Sequence, residues 1–448
     1  MTYSVKMMLS SSKISLYIGI ILFLVFVPAL NSCQEEDPDE IIDTCQNNFT
    51  IDITAPSEDE VLHSGSIVTI EWLNVPTSSD YDKTCNYSVN IDLYNDDYLI
   101  QNIASNVEYT NDGIFNWELD MHPDMGGYHI AITTSDQAIS TRSKDFIIRS
   151  NIPPMPTARG QINLTVVNDK IYAIGGTDLE SNTNYASVEM YDPITNTWTE
   201  KTPMNTPRWL ATQTSTAIGN NIYAIGGFVS FYGDPLDNVE VYDAANDTWS
   251  VGTSMPTARS HFGMSVYENK IYTFGGISGY SGSTWTRADN VEVYDSDNDT
   301  WDVLDPLSSA RIGAASATLN GKIYLAGGVG TSSNDALTLL EVYDPVSNTW
   351  EVKAPMNESR IDFQLLVYDD KLFAIGGGAA LAETTVRTSV EYYDPSTNEW
   401  TLCNSLYQTR AGTSSCVLND YVYIMGGSRP WYPFTNDGVN FIYKPYCY

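Results

Sequence analysis

Two rhythms of apolar and polar residues divide the chain. From Ile51 to Ile148, short runs alternate with a period of two: Ile67–Trp72 reads IVTIEW, Tyr87–Tyr94 YSVNIDLY, Ile114–Leu119 IFNWEL and Tyr128–Thr133 YHIAIT. Residues two apart share one face of a strand, so each run predicts a strand with one buried face. Asn-Asp and Gly turns separate the runs. Roughly seven such strands in about 100 residues predict a two-sheet sandwich, here residues 48–150.

From Met155 onward the pattern becomes a unit that repeats. An apolar strand ends on a glycine pair at Gly175-Gly176, Gly226-Gly227, Gly275-Gly276, Gly327-Gly328, Gly376-Gly377 and Gly426-Gly427, at intervals of 51, 49, 52, 49 and 50 residues. The strands read IYAIGG twice, then IYTFGG, IYLAGG, LFAIGG and VYIMGG. After each of the first five pairs comes a Tyr-Asp step with a Trp seven residues beyond the Tyr: Tyr191 and Trp198, Tyr242 and Trp249, Tyr294 and Trp301, Tyr343 and Trp350, Tyr393 and Trp400. Turns such as DPITNTW and DAANDTW lie between them and suit hairpins. Each unit therefore predicts four strands with both sheet faces apolar, which cannot persist alone and must pack radially against its neighbours. The phase of the five tryptophans predicts core positions for them.

The glycine pair, the Tyr-Asp step and the spaced Trp together resemble the Kelch repeat, from Met155 to the end of the chain. The implied fold is all-β: a six-bladed Kelch β-propeller over residues 151–448, preceded by a small β-sandwich. The sixth repeat reaches VNFIY (Val439–Tyr443) and stops at Tyr448 without the Trp strand. Kelch propellers are often closed by a strand from the other end of the domain, which here implies Phe146–Ile152, although the sandwich also claims Phe146–Ile148 as its last strand. The order of phrases in the sandwich, from ITAPSEDEVLHSGSIVTIEW to GGYHIAITTS, is similar to the immunoglobulin-like module that precedes Ser/Thr-rich anchored proteins of cell walls.

The first residues read as an address. Lys6 and Lys13 precede an apolar run, Ile14–Leu30, broken by Pro28 and leading into Leu30, Asn31, Ser32 and Cys33. The run is short for a membrane span and resembles a bacterial lipoprotein signal, which implies removal of residues 1–32 and a lipid on Cys33. The following QEEDPDE has nothing to bury, so residues 33–47 read as an acidic tether. Acidic residues at this place resemble the signal that sends some Gram-negative lipoproteins to the outer face; an ordinary solvated spacer is the other reading. The expected localisation is an exported, lipid-anchored protein of the outer membrane or cell surface, touching membrane through the lipid alone.

Charge and cysteines narrow the partners. Fifty-six acidic against 22 basic side chains give a formal charge of −34, which repels a phosphate backbone and excludes nucleic acid. Thirty Tyr, 10 Trp and 30 Gly suit short strands and tight turns. In an oxidising compartment Cys45 and Cys85 are expected to pair, as are two of Cys403, Cys416 and Cys447, with one thiol left over. No CxxC spacing occurs, and DSDNDTWD (Asp295–Asp302) lacks the Gly and the bidentate Glu of a calcium loop, so neither metal nor cofactor is called for.

The candidate chemistry lies on one end of the units, where the segment before the innermost strand and the loop after the glycine pair emerge together. Arg159, Arg208, Arg259, Arg311, Arg360 and Arg410 recur there in phase with the repeat. Six guanidiniums near an axis suit bidentate recognition of carboxylates; a structural role in holding the blades is the alternative. The variable loops carry aromatics, Phe231 and Tyr232, Tyr280 and Trp285, Trp431 and Tyr432, with Trp209 beside Arg208. These suit stacking on a sugar or anchoring a protein, and loop-to-loop packing accounts for them equally. The propeller has one histidine, His261, too few for a copper oxidase site. The resulting expectation is a tethered protein that binds a protein or glycan through the loop face. The alternative is a sugar epimerase like the sialic-acid mutarotases, which also resemble this architecture and use arginines without metal.

Overall fold

The computed structural model describes residues 49–78, 86–95, 97–110, 112–119, 125–178, 181, 183–209, 215–230, 233–281, 284–380, 386–406, 412–427, 440–445 and 447. Every regular element among them is a strand. Nine build the first body: β1 (Phe49–Ala55), β2 (Val61–His63), β3 (Ile67–Pro76), β4 (Asn86–Asn95), β5 (Tyr98–Thr110), β6 (Gly113–Glu118), β7 (Met125–Thr134), β8 (Ser140–Arg142) and β9 (Phe146–Arg149). They form two sheets, β1-β3-β6 and β2-β9-β7-β4-β5 with β8 on β7. Burial along β3 alternates buried and exposed, and Ile70, Trp72, Ile91, Leu93, Ile130 and Phe146 from both sheets share one core. The period-two pattern of the sequence is thus a sandwich with one wet face per sheet.

Beyond Pro154 come six antiparallel blade sheets, one per repeat, and a two-stranded ribbon of Thr177–Asp178 and Thr183–Asn184 in the first loop. The first blade runs Asn163–Val167, Lys170–Ile174, Val188–Asp192 and Thr197–Lys201 from the inside out; blades two to five repeat this order, and the sixth has three described strands, Ser414–Leu418, Tyr421–Met425 and Phe441–Tyr443. Two-residue turns join the first two strands of a blade, with left-handed backbone at Asn168 and Asp169, at Asn320 and Gly321, and at Asn419 and Asp420, as hairpins twisted to match their strands require. The seven-residue Tyr-to-Trp spacing spans the next hairpin: Tyr191 sits opposite Trp198, and each later Tyr opposite its Trp. These tryptophans are half-buried rather than core. Their rings lie on the partner Tyr, at 5.3 Å for Tyr191 and Trp198, and the indole N–H reaches the preceding blade: Trp249 donates to Thr202 O and Trp301 to Thr253 O.

The innermost strands touch in cyclic order, and the sixth returns to the first. A repeated stitch joins the blades at five of the six junctions among the described residues. The N–H of the second glycine donates to the carbonyl of the next blade's arginine: Gly176 to Arg208, Gly227 to Arg259, Gly276 to Arg311, Gly328 to Arg360, and Gly427 back to Arg159. At Gly176, φ is +104°, and a Cβ there would lie 2.7 Å from Gly160 O; only glycine permits this approach. The propeller is therefore a closed ring of six blades.

Closure differs from the expected added strand. Phe146–Arg149 is β9 and stays in the sandwich, paired with β7 and β2. It is Asn151–Pro153 that stands in the missing place. Pro153 O accepts from Trp198 Nε1 at 2.9 Å and from Asn440 Nδ2 at 2.8 Å, as Thr202 and Thr253 do for the next tryptophans. On the other side of the sixth blade, Cys447 bridges Cys403, which follows the outer strand of the fifth. Cys416 is a buried free thiol, and burial pushes it well above the ordinary thiol range. Cys33, Cys45 and Cys85 lie outside the described residues.

Candidate functional site

The strands of a blade alternate in direction, so one face of the ring carries the arginines and the loops after the glycine pairs, and the other carries the hairpins. The sandwich meets the hairpin face: Ser64, Gly65 and Leu119 share a cavity of about 400 Å³ with Tyr191, Asn196 and Ile442.

The arginines do not point out of that face. Arg159, Arg208, Arg259 and Arg360 are 0% exposed and Arg311 is 2% exposed. Each pairs with a glutamate on the third strand of its own blade. Arg159 meets Glu189 at 2.6 Å and Arg259 meets Glu292 at 2.6 Å; Arg208 pairs with Glu240, Arg311 with Glu341, and Arg360 with Glu391. The remaining donors of Arg159 go to backbone, Nε to Gly175 O and Nη1 to Thr157 O, whereas Arg259 Nη2 also meets Thr273 Oγ1 and the Nε atoms of Arg259 and Arg311 have no hydrogen-bond partner among the described residues. In blades one, two, four and five the second carboxylate oxygen holds the approach loop, as Glu189 Oε1 does by accepting from Thr157 N at 3.0 Å; Glu292 Oε1 has no hydrogen-bond partner among the described residues. Burial pulls Arg208, Arg259, Arg311 and Arg360 below the ordinary guanidinium range, and the facing glutamates oppose that pull. In place of a ring of ligand-facing guanidiniums there are five internal clamps. The physical reason is that a buried guanidinium is tolerated only with its charge compensated. The glutamates had a signal of their own in the sequence, recurring in VEMYD, VEVYD, LEVYD and VEYYD at the same period. In the sixth repeat, by register, Phe441 takes the glutamate's position.

Outside these clamps, the loops after the glycine pairs dock one on the next. Asn184 of blade one donates to Val229 O of blade two at 2.6 Å. Phe228 packs on Trp285 of blade three with ring centroids 5.5 Å apart. Arg287 reaches Asn334 of blade four at 2.8 Å, and Ala336 N reaches Ala379 O of blade five at 2.8 Å. Beneath this rim lies an apolar layer in which Trp209, Phe228, Ile277, Ile312, Val329 and Ile361 are buried together. Among the described residues, blade three carries the longest middle strands, Lys270–Ser281 and Thr284–Asp295, and Tyr280 faces Trp285 at 4.6 Å near the tip.

Closer to the axis, a chain of backbone hydrogen bonds passes from blade to blade. Asp362 N donates to Gly313 O, Gly313 N to His261 O, and Gln161 N to Gly412 O, all five residues in the left-handed region. His261 lies 5.6 Å from the Trp209 ring and accepts or donates at Nδ1 with Ser260 Oγ, 3.0 Å away. Burial lowers its pKa from the ordinary imidazole value, with Asp362 opposing. No group of three or more His, Cys, Asp or Glu fit to hold a metal occurs among the described residues. Of the sequence-derived candidates, Trp209 is in the buried layer, Tyr280 and Trp285 are on the blade-three hairpin, and Phe231, Tyr232, Arg410, Trp431 and Tyr432 lie outside the described residues.

Comparison with known proteins agrees with the repeat. A family model described as the KLHDC2/KLHL20/DRC7 Kelch-repeats domain matches residues 164–377 and, displaced by one repeat, 214–427. The chain is 30% identical over 215 residues to alpha-scruin of Limulus polyphemus, covering 46% of this chain and 23% of that protein. It is 28% identical over 186 residues to Kelch-like protein terF of Aspergillus terreus, 40% of each, and 29% identical over 170 residues to Kelch-like protein 23 of Homo sapiens, 38% and 29%. The chain thus spans less than half the length of each of these relatives.

Proposed function

Since the chain belongs to the Kelch-repeat family, we propose that it is a lipid-anchored recognition protein of the cell envelope that takes a protein partner on the loop face of its propeller. The observation that carries this reading is the rim. Loops of different length and composition in blades one to five lock onto one another above a framework whose charged groups are already matched internally. Variable groups on a rigid support are the usual construction of a binding surface. The tip of the blade-three hairpin adds a paired Tyr and Trp, residue types that anchor protein interfaces. The anchor is supported by the Ile14–Cys33 motif and the acidic run after it. A mutarotase-like reaction would need guanidiniums that reach a sugar carboxylate, and the five described ones are engaged by glutamates.

The test is a photo-crosslinking amino acid placed in living cells either at Tyr280 on the loop face or at Ile194, 82% exposed on the hairpin face. A discrete protein adduct from position 280 alone is expected, and the adduct partner, purified, is expected to bind at least tenfold more weakly to Trp285→Ala. Adducts from position 194 alone, or a glycan array bound with no protein adduct, would overturn the reading. The anchor is tested separately by labelled palmitate, whose incorporation is expected to vanish in Cys33→Ser.

A further inference from the structure

On the ring axis, between the innermost strands, lies a cavity of about 350 Å³. That is the liquid volume of about a dozen waters and falls within the range of small-ligand pockets, from about 300 Å³ upward. The chain carries a formal charge of −34, yet no Asp, Glu, Lys or Arg stands among the residues lining this cavity. An anion there meets no cation and is repelled by the surrounding protein. A hard metal ion meets no carboxylate.

The lining supplies hydroxyl, amide and aliphatic groups instead. At one level of the ring, strand register places Leu164, Ser215, Met264, Ser316, Leu365 and Ser415 in successive blades, so that apolar and hydroxyl groups alternate around the axis. Leu164, Ser215, Met264 and Ser415 line the cavity itself. Two of the three serines find partners across a blade junction: Ser215 Oγ lies 3.0 Å from Thr165 Oγ1, and Ser316 Oγ accepts from Ser265 Oγ at 2.9 Å. The corresponding position opposite Ser415 is Leu366, and Ser415 Oγ is buried with no hydrogen-bond partner among the described residues. An orphaned hydroxyl is costly to keep in a folded interior unless something satisfies it.

We propose that the axial channel is a binding site for a small neutral polyhydroxylated molecule of the hexose or cyclitol class. Its hydroxyls pair with Ser415, Thr216 and Gln364, and its C–H faces lie on Leu164 and Met264. This site is separate from the loop face, and the two stand or fall independently.

Saturation-transfer NMR on the full chain tests it, with D-glucose, D-galactose and myo-inositol as neutral probes and D-galacturonate as the charged control. Saturable transfer to at least one neutral probe is expected, with galacturonate at least tenfold weaker. Ser415→Leu, which narrows the channel and removes the hydroxyl, is expected to abolish the transfer. Ser415→Ala is expected to weaken binding at least threefold with an unchanged melting temperature, and it decides the matter if the leucine variant does not fold. No transfer to any neutral probe would leave a channel of water only and overturn the proposal. So would galacturonate binding as well as the neutral probes, or binding that survives both substitutions.

Discussion

At the scale of single residues, the clearest lesson is the arginine of each repeat. Its period was legible because the blade frame imposes it, but its direction was not. The arginine's own neighbours, such as MPTARG and MPTARS, say nothing about where the guanidinium goes. That is decided by a glutamate some thirty residues on, and by the carbonyl of the glycine pair that the strand register brings between them. Such a pair is held by mutual compensation, so removing one member leaves the other buried and unmatched. Glu292→Gln is therefore expected to destabilise the protein by about 3 kcal/mol or more, read as a lowered denaturant midpoint. A change within experimental error would mean that the arginine is compensated from elsewhere. Trp209 had a similar ambiguity. A tryptophan beside a loop arginine fits a ligand or a neighbouring loop, and only the position of Phe228 in three dimensions decides for the loop.

Among the elements, hairpins were the most legible, because their turns need particular residues and the flanking strands keep a fixed phase. The aspartate that opens each outer hairpin accepts a backbone N–H two residues on: Asp192 from Ile194, Asp243 from Ala245, Asp344 from Val346 and Asp394 from Ser396. These carboxyls sit below the ordinary range. The chief cause is the Lys170 ammonium for Asp192, the Asn246 side chain for Asp243, the Asn298 side chain for Asp295, the Ser347 N–H for Asp344 and the Ser396 hydroxyl for Asp394. A carboxyl lowered in the folded state binds its proton more tightly when unfolded. Its stabilisation is complete above the unfolded value, about 4, and is lost as pH falls through the folded one. Urea midpoints are thus expected to hold from pH 7 to 5 and decline below 4, more shallowly in the double variant Asp243→Asn and Asp295→Asn. An equal decline in the variant would assign the acid sensitivity to other groups. The element that sequence misplaced was the closing strand. Apolar Phe146–Ile148 suits either body, and the pairing of β9 with β7 won it for the sandwich.

For the whole molecule, six-fold repetition made the ring readable, while its seam was not, because the sixth repeat breaks the pattern that made the others recognisable. The seam is held by Asn151–Pro153 on one side and by the Cys403–Cys447 bridge on the other, which closes a span of 44 residues. Cross-links of this kind stabilise by about 2–4 kcal/mol. Cys447→Ser is expected to lower the unfolding free energy by that amount and to speed amide hydrogen exchange in Tyr421–Met425 well before it does so in Lys322–Ala326. Uniform acceleration would show that the bridge acts on the ring as a whole. The stitch from Gly427 to Arg159 also sets a timetable. Across the same junction, Leu164 and Ser414 join positions 250 residues apart, so the first blade waits for its second neighbour until the sixth repeat has been synthesised. Until then it is one end of an open arc with an apolar flank uncovered, and any helper that shields nascent chains is needed longest there.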